Sequence, residues 1–254
     1  MTLYIIGIGL GTEKDITMRG LEIVNKCDEV YLERYTSLLQ CSFQDLAKFY
    51  GREITLADRT TAENGMEKIV EQAKTEDVAF LVIGDAFSAT THIELFRLAK
   101  ENNIKVEVVH NASILTAVGI TGLQLYKFGK TTSIPFLDDF PQLETPYHII
   151  KANKEIGAHT LCLLDIKEDK ERFMTVPQSI EVLQDIEKRL QENVITDDLF
   201  VVGCARLGTD NIVKAGLLKE IKKEDFGAAP HCLIIPGKMH FSEEEILQLY
   251  HSGE

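Results

Sequence analysis

Val78-Ala79-Phe80-Leu81-Val82-Ile83-Gly84-Asp85 is the stretch on which the fold turns. Its apolar run has no polar alternation, so it reads as a short strand buried on both faces, ended by a glycine and an acid. Such a strand belongs inside a parallel sheet covered by helices on both sides. The sequence on either side has the matching grammar. Strands are predicted at 3–6, 28–32, 53–56 and 105–109. Helices are predicted between them at 17–27, where Met18, Leu21, Ile23 and Val24 share a side, and at 63–73 and 93–102, with a short one from 112 to about 118. This is the βαβα order of a mostly parallel sheet.

The rhythm breaks over 121–145, where Gly122, Gly129, Pro135, Pro141 and the pair Asp138-Asp139 fall close together. A boundary near 119–130 is expected, dividing an N-terminal α/β domain, 1–122, from a C-terminal α/β domain, 123–254. Strands are predicted in the second domain at 160–165, 199–203, 211–215 and 231–235. A helix is predicted over 179–190, with Ile180, Leu183, Ile186 and Leu190 at helical spacing. Ser242 and Glu245 are spaced as a capping box opening a last helix over 243–250. The expected class is therefore α/β, two domains with mostly parallel or mixed sheets.

The chain has 254 residues, which suits two such domains, and 44% hydrophobic residues supply a core. No apolar run approaches the roughly 20 residues of a membrane span, and no basic leader precedes the first strand. With 40 acids against 27 bases the net charge is −13. That argues against a nucleic-acid backbone as the ligand and is compatible with a cationic molecule or a basic protein partner. Cys27, Cys41, Cys162, Cys204 and Cys232 show no metal-ligand spacing. They read as small buried hydrophobes in a reducing, cytoplasmic setting.

Four short motifs sit where strands end. They are Gly7-Ile8-Gly9-Leu10-Gly11, Gly84-Asp85-Ala86-Phe87-Ser88-Ala89-Thr90-Thr91-His92, Asn111-Ala112-Ser113-Ile114 and the segment from Pro236 through Gly237, Lys238, Met239, His240 and Phe241 to Glu245. In an open α/β sheet such turns line the ligand-binding edge, so one cleft built from both halves of the chain is expected. The first motif is not a dinucleotide fingerprint, because its third glycine comes at the fifth position and 12–15 separate it from the helix. Its glycines are those of a tight turn or of a backbone approached closely by a flat ligand. Asp85 is placed either to accept from a ribose hydroxyl or ammonium group, or to serve as a helix cap or Asx turn. His231 and His240 have no partner at metal-ligand spacing. Neither a nucleophile elbow nor a P-loop is present.

Taken together, Gly7–Gly11, the Glu-Arg-Tyr-Thr-Ser run of 33–37, the Gly84–His92 motif, His-Asn-Ala-Ser-Ile-Leu at 110–115, Cys-Leu-Leu-Asp-Ile-Lys at 162–167 and the Pro236–Glu245 motif resemble the diphthine synthases. These are a branch of the tetrapyrrole-methylase-like S-adenosylmethionine-dependent methyltransferases, and the resemblance runs from Leu3 to about Tyr250. It implies two α/β domains, usually in a homodimer, with S-adenosylmethionine folded in the cleft between them. It implies cofactor contacts at Leu10, Asp85, Ser88, Ser113, Ile114, Leu164, Ala205 and His231, and no metal. The implied reaction methylates the amino group of a 3-carboxy-3-aminopropyl-histidine on translation elongation factor 2, as a step of diphthamide biosynthesis, releasing S-adenosylhomocysteine. No catalytic residue follows from the resemblance. Asp165 and His231 are candidates for a base by motif position, and solvent is the alternative. One departure is Ala86, where the family pattern has proline after Gly-Asp; alanine loosens that loop and removes no contacting side chain. The competing expectations are a corrinoid-precursor methyltransferase of the same fold and a non-catalytic nucleotide-binding module.

Overall fold

Strict alternation along the strand Val78–Val82 sends Val78, Phe80 and Val82 into one apolar cluster and Ala79 and Leu81 into another, all of them buried. The computed structural model describes residues 1–33, 37–57, 65–138 and 140–251, and its contacts divide into two units, Met1–Ala117 and Val118–Glu254.

The first unit runs β1 (Thr2–Gly7), α1 (Met18–Val24), β2 (Glu29–Glu33), α2 (Phe43–Tyr50), β3 (Thr55–Ala57), α3 (Met66–Gln72), β4 (Val78–Val82), α4 (Ile93–Glu101), β5 (Lys105–Val109) and α5 (Ile114–Ala117). Its sheet has the order β3-β2-β4-β1-β5 and every pairing is parallel. One face packs Leu3, Ile5 and Phe80 against Ile69 of α3 and Leu95 of α4. The other packs Ile6, Ile8 and Leu81 against Val24 of α1 and Leu46 and Tyr50 of α2. Helices on both faces are what a strand apolar on both sides requires. α2 went unpredicted. Its start is a capping box in which Asp45 bonds the backbone of Ser42 and Ser42 bonds that of Asp45. The predicted strand at 53–56 begins two residues later, at Thr55, and the predicted helix at 63–73 is seen as Met66–Gln72, its first residues lying outside those described.

The second unit runs β6 (Thr132–Ile134), α6 (Thr145–Glu155), β7 (Thr160–Leu164), β8 (Ile166–Lys167), β9 (Arg172–Phe173), α7 (Val176–Leu190), β10 (Phe200–Ala205), β11 (Ile212–Leu217), α8 (Leu218–Ile221), β12 (His231–Ile235) and α9 (Phe241–Gln248). Its main sheet, β11-β10-β12-β7-β6, is antiparallel except for the β6–β7 pair. Tyr147 and Ile150 of α6 and Ile180, Leu183 and Ile186 of α7 pack with Cys162, Val201 and Leu233 in one core. β6 lies in the stretch where the rhythm broke, and α6 begins at its end. α6 begins with Pro146 in its first turn, a position where the missing N–H costs nothing. α7 starts three residues before the predicted 179, at a Thr175–Gln178 capping box.

The last helix corrects the sequence reading. Its capping box is His240 with Glu243, not Ser242 with Glu245, and the helix begins at Phe241. Glu243 is wholly buried and accepts from the His240 backbone at 2.7 Å. The spacing rule found a capping box two residues too late because the inward pull on Glu243 comes from residues far away in sequence. The cysteines are free thiols, with Cys27, Cys162, Cys204 and Cys232 buried, and burial pushes the Cys27 thiol up to about 12.

Candidate functional site

Parallel strands bring three of the four motifs together. β4, β1 and β5 are neighbours in that order, so the turns after Val82, Gly7 and Val109 emerge along one edge. Gly9 and Gly84 pair through two backbone bonds, Gly9 N to Gly84 O at 3.1 Å and Gly84 N to Gly9 O at 2.8 Å. Both have positive φ, +83° and +86°, which a side chain would resist. A Cβ on Gly9 would come within 2.5 Å of the Asp15 side chain, so the protein itself forbids one there. A Cβ on Gly84 would instead lie 3.6 Å from Leu10 and 3.8 Å from the Ala112 carbonyl. Leu10, Gly84 and Ala112, one from each motif, therefore meet around a single point.

Asp85 organises this edge. Its Oδ1 accepts from Phe87 N at 3.1 Å and Ser88 Oγ at 3.0 Å, and its Oδ2 from His110 Nδ1 at 2.8 Å and Asn111 N at 3.1 Å. Burial alone would raise this carboxyl. The four donors outweigh it and hold Asp85 down at about 2. The Phe87 bond makes an Asx turn. The helix-cap alternative fails, because α4 starts eight residues later with His92 at its N-cap and no side-chain capping bond. His92 itself is buried against the edge of Phe80, its Nδ1 paired with Thr90 Oγ1, and burial holds it down at about 4. Asn111 closes the edge, its Nδ2 donating to Gly7 O and Asp15 O, each at 3.0 Å. Ser113 is buried and Ile114 opens α5 beside it.

In the second unit Leu164, Ala205 and His231 also share one sheet end. Ala205 is the register partner of His231, and Leu164 follows Leu163, the partner of Cys232. His231 Nε2 donates to Gly227 O at 3.2 Å and Ala228 O at 3.0 Å. Its Nδ1 is therefore a lone pair, and it is buried with no protein partner. Burial lowers this histidine's proton affinity. Asp165 accepts from Phe136 N at 3.1 Å.

The fourth motif forms a different centre. Glu243 Oε1 accepts from Gln124 N at 2.9 Å and His159 Nε2 at 3.0 Å, while its Oε2 takes the Lys127 ammonium and His240 N. Burial opposes this charge, and the donors again hold the carboxyl at about 2. His159 Nδ1 accepts from Gly237 N at 2.9 Å. The motif from Pro236 to Glu245 thus closes on itself inside the second unit. Sequence reasoning missed His159 and Lys127, which stand in no motif, and it gave His110 and Asn111 no role of their own. Of the Glu33–Ser37 motif, Glu33 is buried at the end of β2, and 34–36 lie outside the described residues. Among the described residues no group of three His, Cys, Asp or Glu side chains is placed to hold a metal ion.

Comparison with known proteins adds an independent line. Residues 2–222 match the family of tetrapyrrole (corrin/porphyrin) methylases. The chain is 44% identical to a diphthine methyl ester synthase of Dictyostelium discoideum, over 98% of each chain. It is 43% identical to a diphthine synthase of Methanococcus maripaludis, over 97% of each. A crystal structure of a diphthine synthase superposes with a TM-score of 0.91 at 36% identity, covering 100% of this chain and 97% of the other.

Proposed function

Because this chain belongs to the tetrapyrrole methylase family, in its diphthine synthase branch, and is a methyltransferase, we propose that S-adenosylmethionine is its methyl donor and elongation factor 2 its acceptor. The reaction is methylation of the amino group on the 3-carboxy-3-aminopropyl-histidine of that factor. The observation that carries the donor site is the meeting of Leu10, Gly84 and Ala112 at the ends of three adjacent parallel strands. Ligands of open α/β sheets bind at such an edge.

Leu10, Asp85, Ser88, Ser113 and Ile114 are the proposed contacts in the first unit. Leu164, Ala205 and His231 are those in the second. The residues present fit such a ligand. Gly84 leaves a place that a side chain would fill, and the buried lone pair on His231 Nδ1 calls for a donor such as an exocyclic amine of adenine. Asp85 has both oxygens taken twice by the protein, so its part is to hold Ser88 and the Asn111 backbone in place as much as to touch the ligand. A sulfonium methyl is already an activated electrophile, and what remains for the protein is to position a neutral amine and exclude water.

The protein acceptor supports a cytoplasmic location, where translation factors act, and the family resemblance supports a homodimer. No helix among the described residues is long and apolar enough to cross a membrane. The relatives carry two names, diphthine synthase and diphthine methyl ester synthase. The number of methyl groups added is therefore the open variable. Intact-mass measurement of the unmethylated factor after incubation with enzyme and S-adenosylmethionine decides it. Mass should rise in methyl steps, to three if only nitrogen is methylated and to four if the carboxyl is esterified as well. No gain on the factor, with a normal fold, would reject the assignment.

A further inference from the structure

His110 stands at the end of β5 with its side chain 69% exposed, and its Nδ1 lies 2.8 Å from Asp85 Oδ2. Asp85 is ionised and can only accept, so Nδ1 carries a proton, and whenever the ring is neutral its lone pair is on Nε2. Among the described residues Asp85 is the one ionisable group bonded to His110. The Phe87 ring at 6.4 Å and the adjoining Asn111 carry no charge. A carboxylate holding one ring nitrogen while the other stays open is the arrangement of a general base with its orienting group.

We propose that His110 is the general base of methyl transfer, its Nε2 taking the proton from the acceptor's ammonium group while Asp85 fixes the tautomer. This rests on the methyl-transfer reading above. An N–H bond of the ammonium breaks and an Nε2–H bond forms. The freed nitrogen lone pair then makes the new bond to the methyl carbon, and the pair of the broken C–S bond stays on sulfur. The imidazolium returns its proton to water through its exposed edge. The cycle repeats until nitrogen holds three methyl groups and no proton.

None of the other candidates pairs a carboxylate with an open imidazole nitrogen. His231 has Nε2 engaged by two carbonyls and its remaining nitrogen buried, and His159 has both nitrogens bonded within the second unit. Asp165 is tied to the Phe136 backbone.

Two measurements on the full chain test the proposal. Nitrogen-15 NMR of the ligand-free protein, followed to a pH at which the ring is neutral, should find His110 in the Nδ1–H tautomer. His110→Gln should bind S-adenosylhomocysteine within about twofold of wild type by calorimetry. It should lose on the order of 10²-fold or more in kcat near pH 7, the usual worth of a general base. That deficit should shrink as pH rises and the acceptor amine deprotonates by itself, which a purely structural defect would not do. An Nε2–H tautomer, a deficit equal at every pH, or a parallel loss of cofactor affinity would each overturn the base. Wild-type protein that transfers no methyl group would overturn the functional reading and the base together. Wild-type transfer with pH profiles parallel to those of His110→Gln would overturn the base alone.

Discussion

Asp85 in the first unit and Glu243 in the second each gather four donors, two on each oxygen, with a histidine among them. Both are held at about 2. They differ in what the histidine does with its second nitrogen. His159 is buried and gives it to the Gly237 backbone, so the Glu243 network is closed and braces α9 against the turns at Gln124 and His240. His110, its side chain 69% exposed, makes no hydrogen bond through it among the described residues. The same carboxylate–imidazole pair is thus a structural joint where every valence is filled, and a reactive group where one is left over.

Glu243→Ala should have the largest effect. It removes a wholly buried carboxylate from the part-exposed Lys127 ammonium and from three further donors, and breaking such a pair costs up to about 3–5 kcal/mol. Asp85→Ala should cost less, about 1–3 kcal/mol, because the His110 it strands can turn to water. Urea denaturation followed by far-ultraviolet circular dichroism measures both, and a reversed order would break the comparison.

Acid should act next. His92 is held by burial near 4 against roughly 6.5 in the unfolded chain. Its lowered value gives stability that is complete above 6.5 and is lost as pH falls toward 4, roughly 3 kcal/mol in all. His159 and His231 are lowered by burial in the same direction. The two carboxylates add a later loss, starting below about 4.5 and running toward 2. The melting temperature should therefore decline in two stages, and a flat profile from pH 7 to 4.5 would contradict the buried neutral histidines.

Ligand binding sharpens the contrast. S-adenosylhomocysteine at a hundredfold excess over Kd should stabilise the fold by about 2.7 kcal/mol. Glu243→Gln should keep most of that thermal shift at the same excess over wild-type Kd, and Asp85→Asn should lose much of it. The smallest effect separates the two histidines. His159→Gln should cost about 1–2 kcal/mol, and His110→Gln, at an exposed position, under about 0.5 kcal/mol.

Legibility differed between the units for a physical reason. In the first, each strand is followed by its own helix, and β1 and β4 carry continuous apolar runs while β5 alternates, so all three could be read with little error. β3, three residues long at an edge of the sheet, was read early, and the capped α2 was missed. In the second, the long crossover carrying β6 and α6 is broken by prolines and glycines that look like a linker. The β8–β9 hairpin is too short to show alternation. Motif positions were visible as strand ends. Which of them meet was not, since Asp85 follows β4 and His110 follows β5, with β1 between them in the sheet.

By itself the sequence determined two α/β halves, glycine turns at strand ends, the burial of four of the five thiols, Cys41 being only half-buried, and a likeness to diphthine synthases. Those follow from local pattern, because periodicity and turn chemistry depend on near neighbours. Only the tertiary structure decided that Asp85 adds donors from 110 and 111 to the local Asx-turn pair at 87 and 88. It also decided that Glu243 faces inward to Lys127 and His159, and that one histidine of the two pairs keeps a free nitrogen. Hydrogen bonds between residues 25 to 119 positions apart depend on strand order and register, and no local pattern in the chain encodes either one.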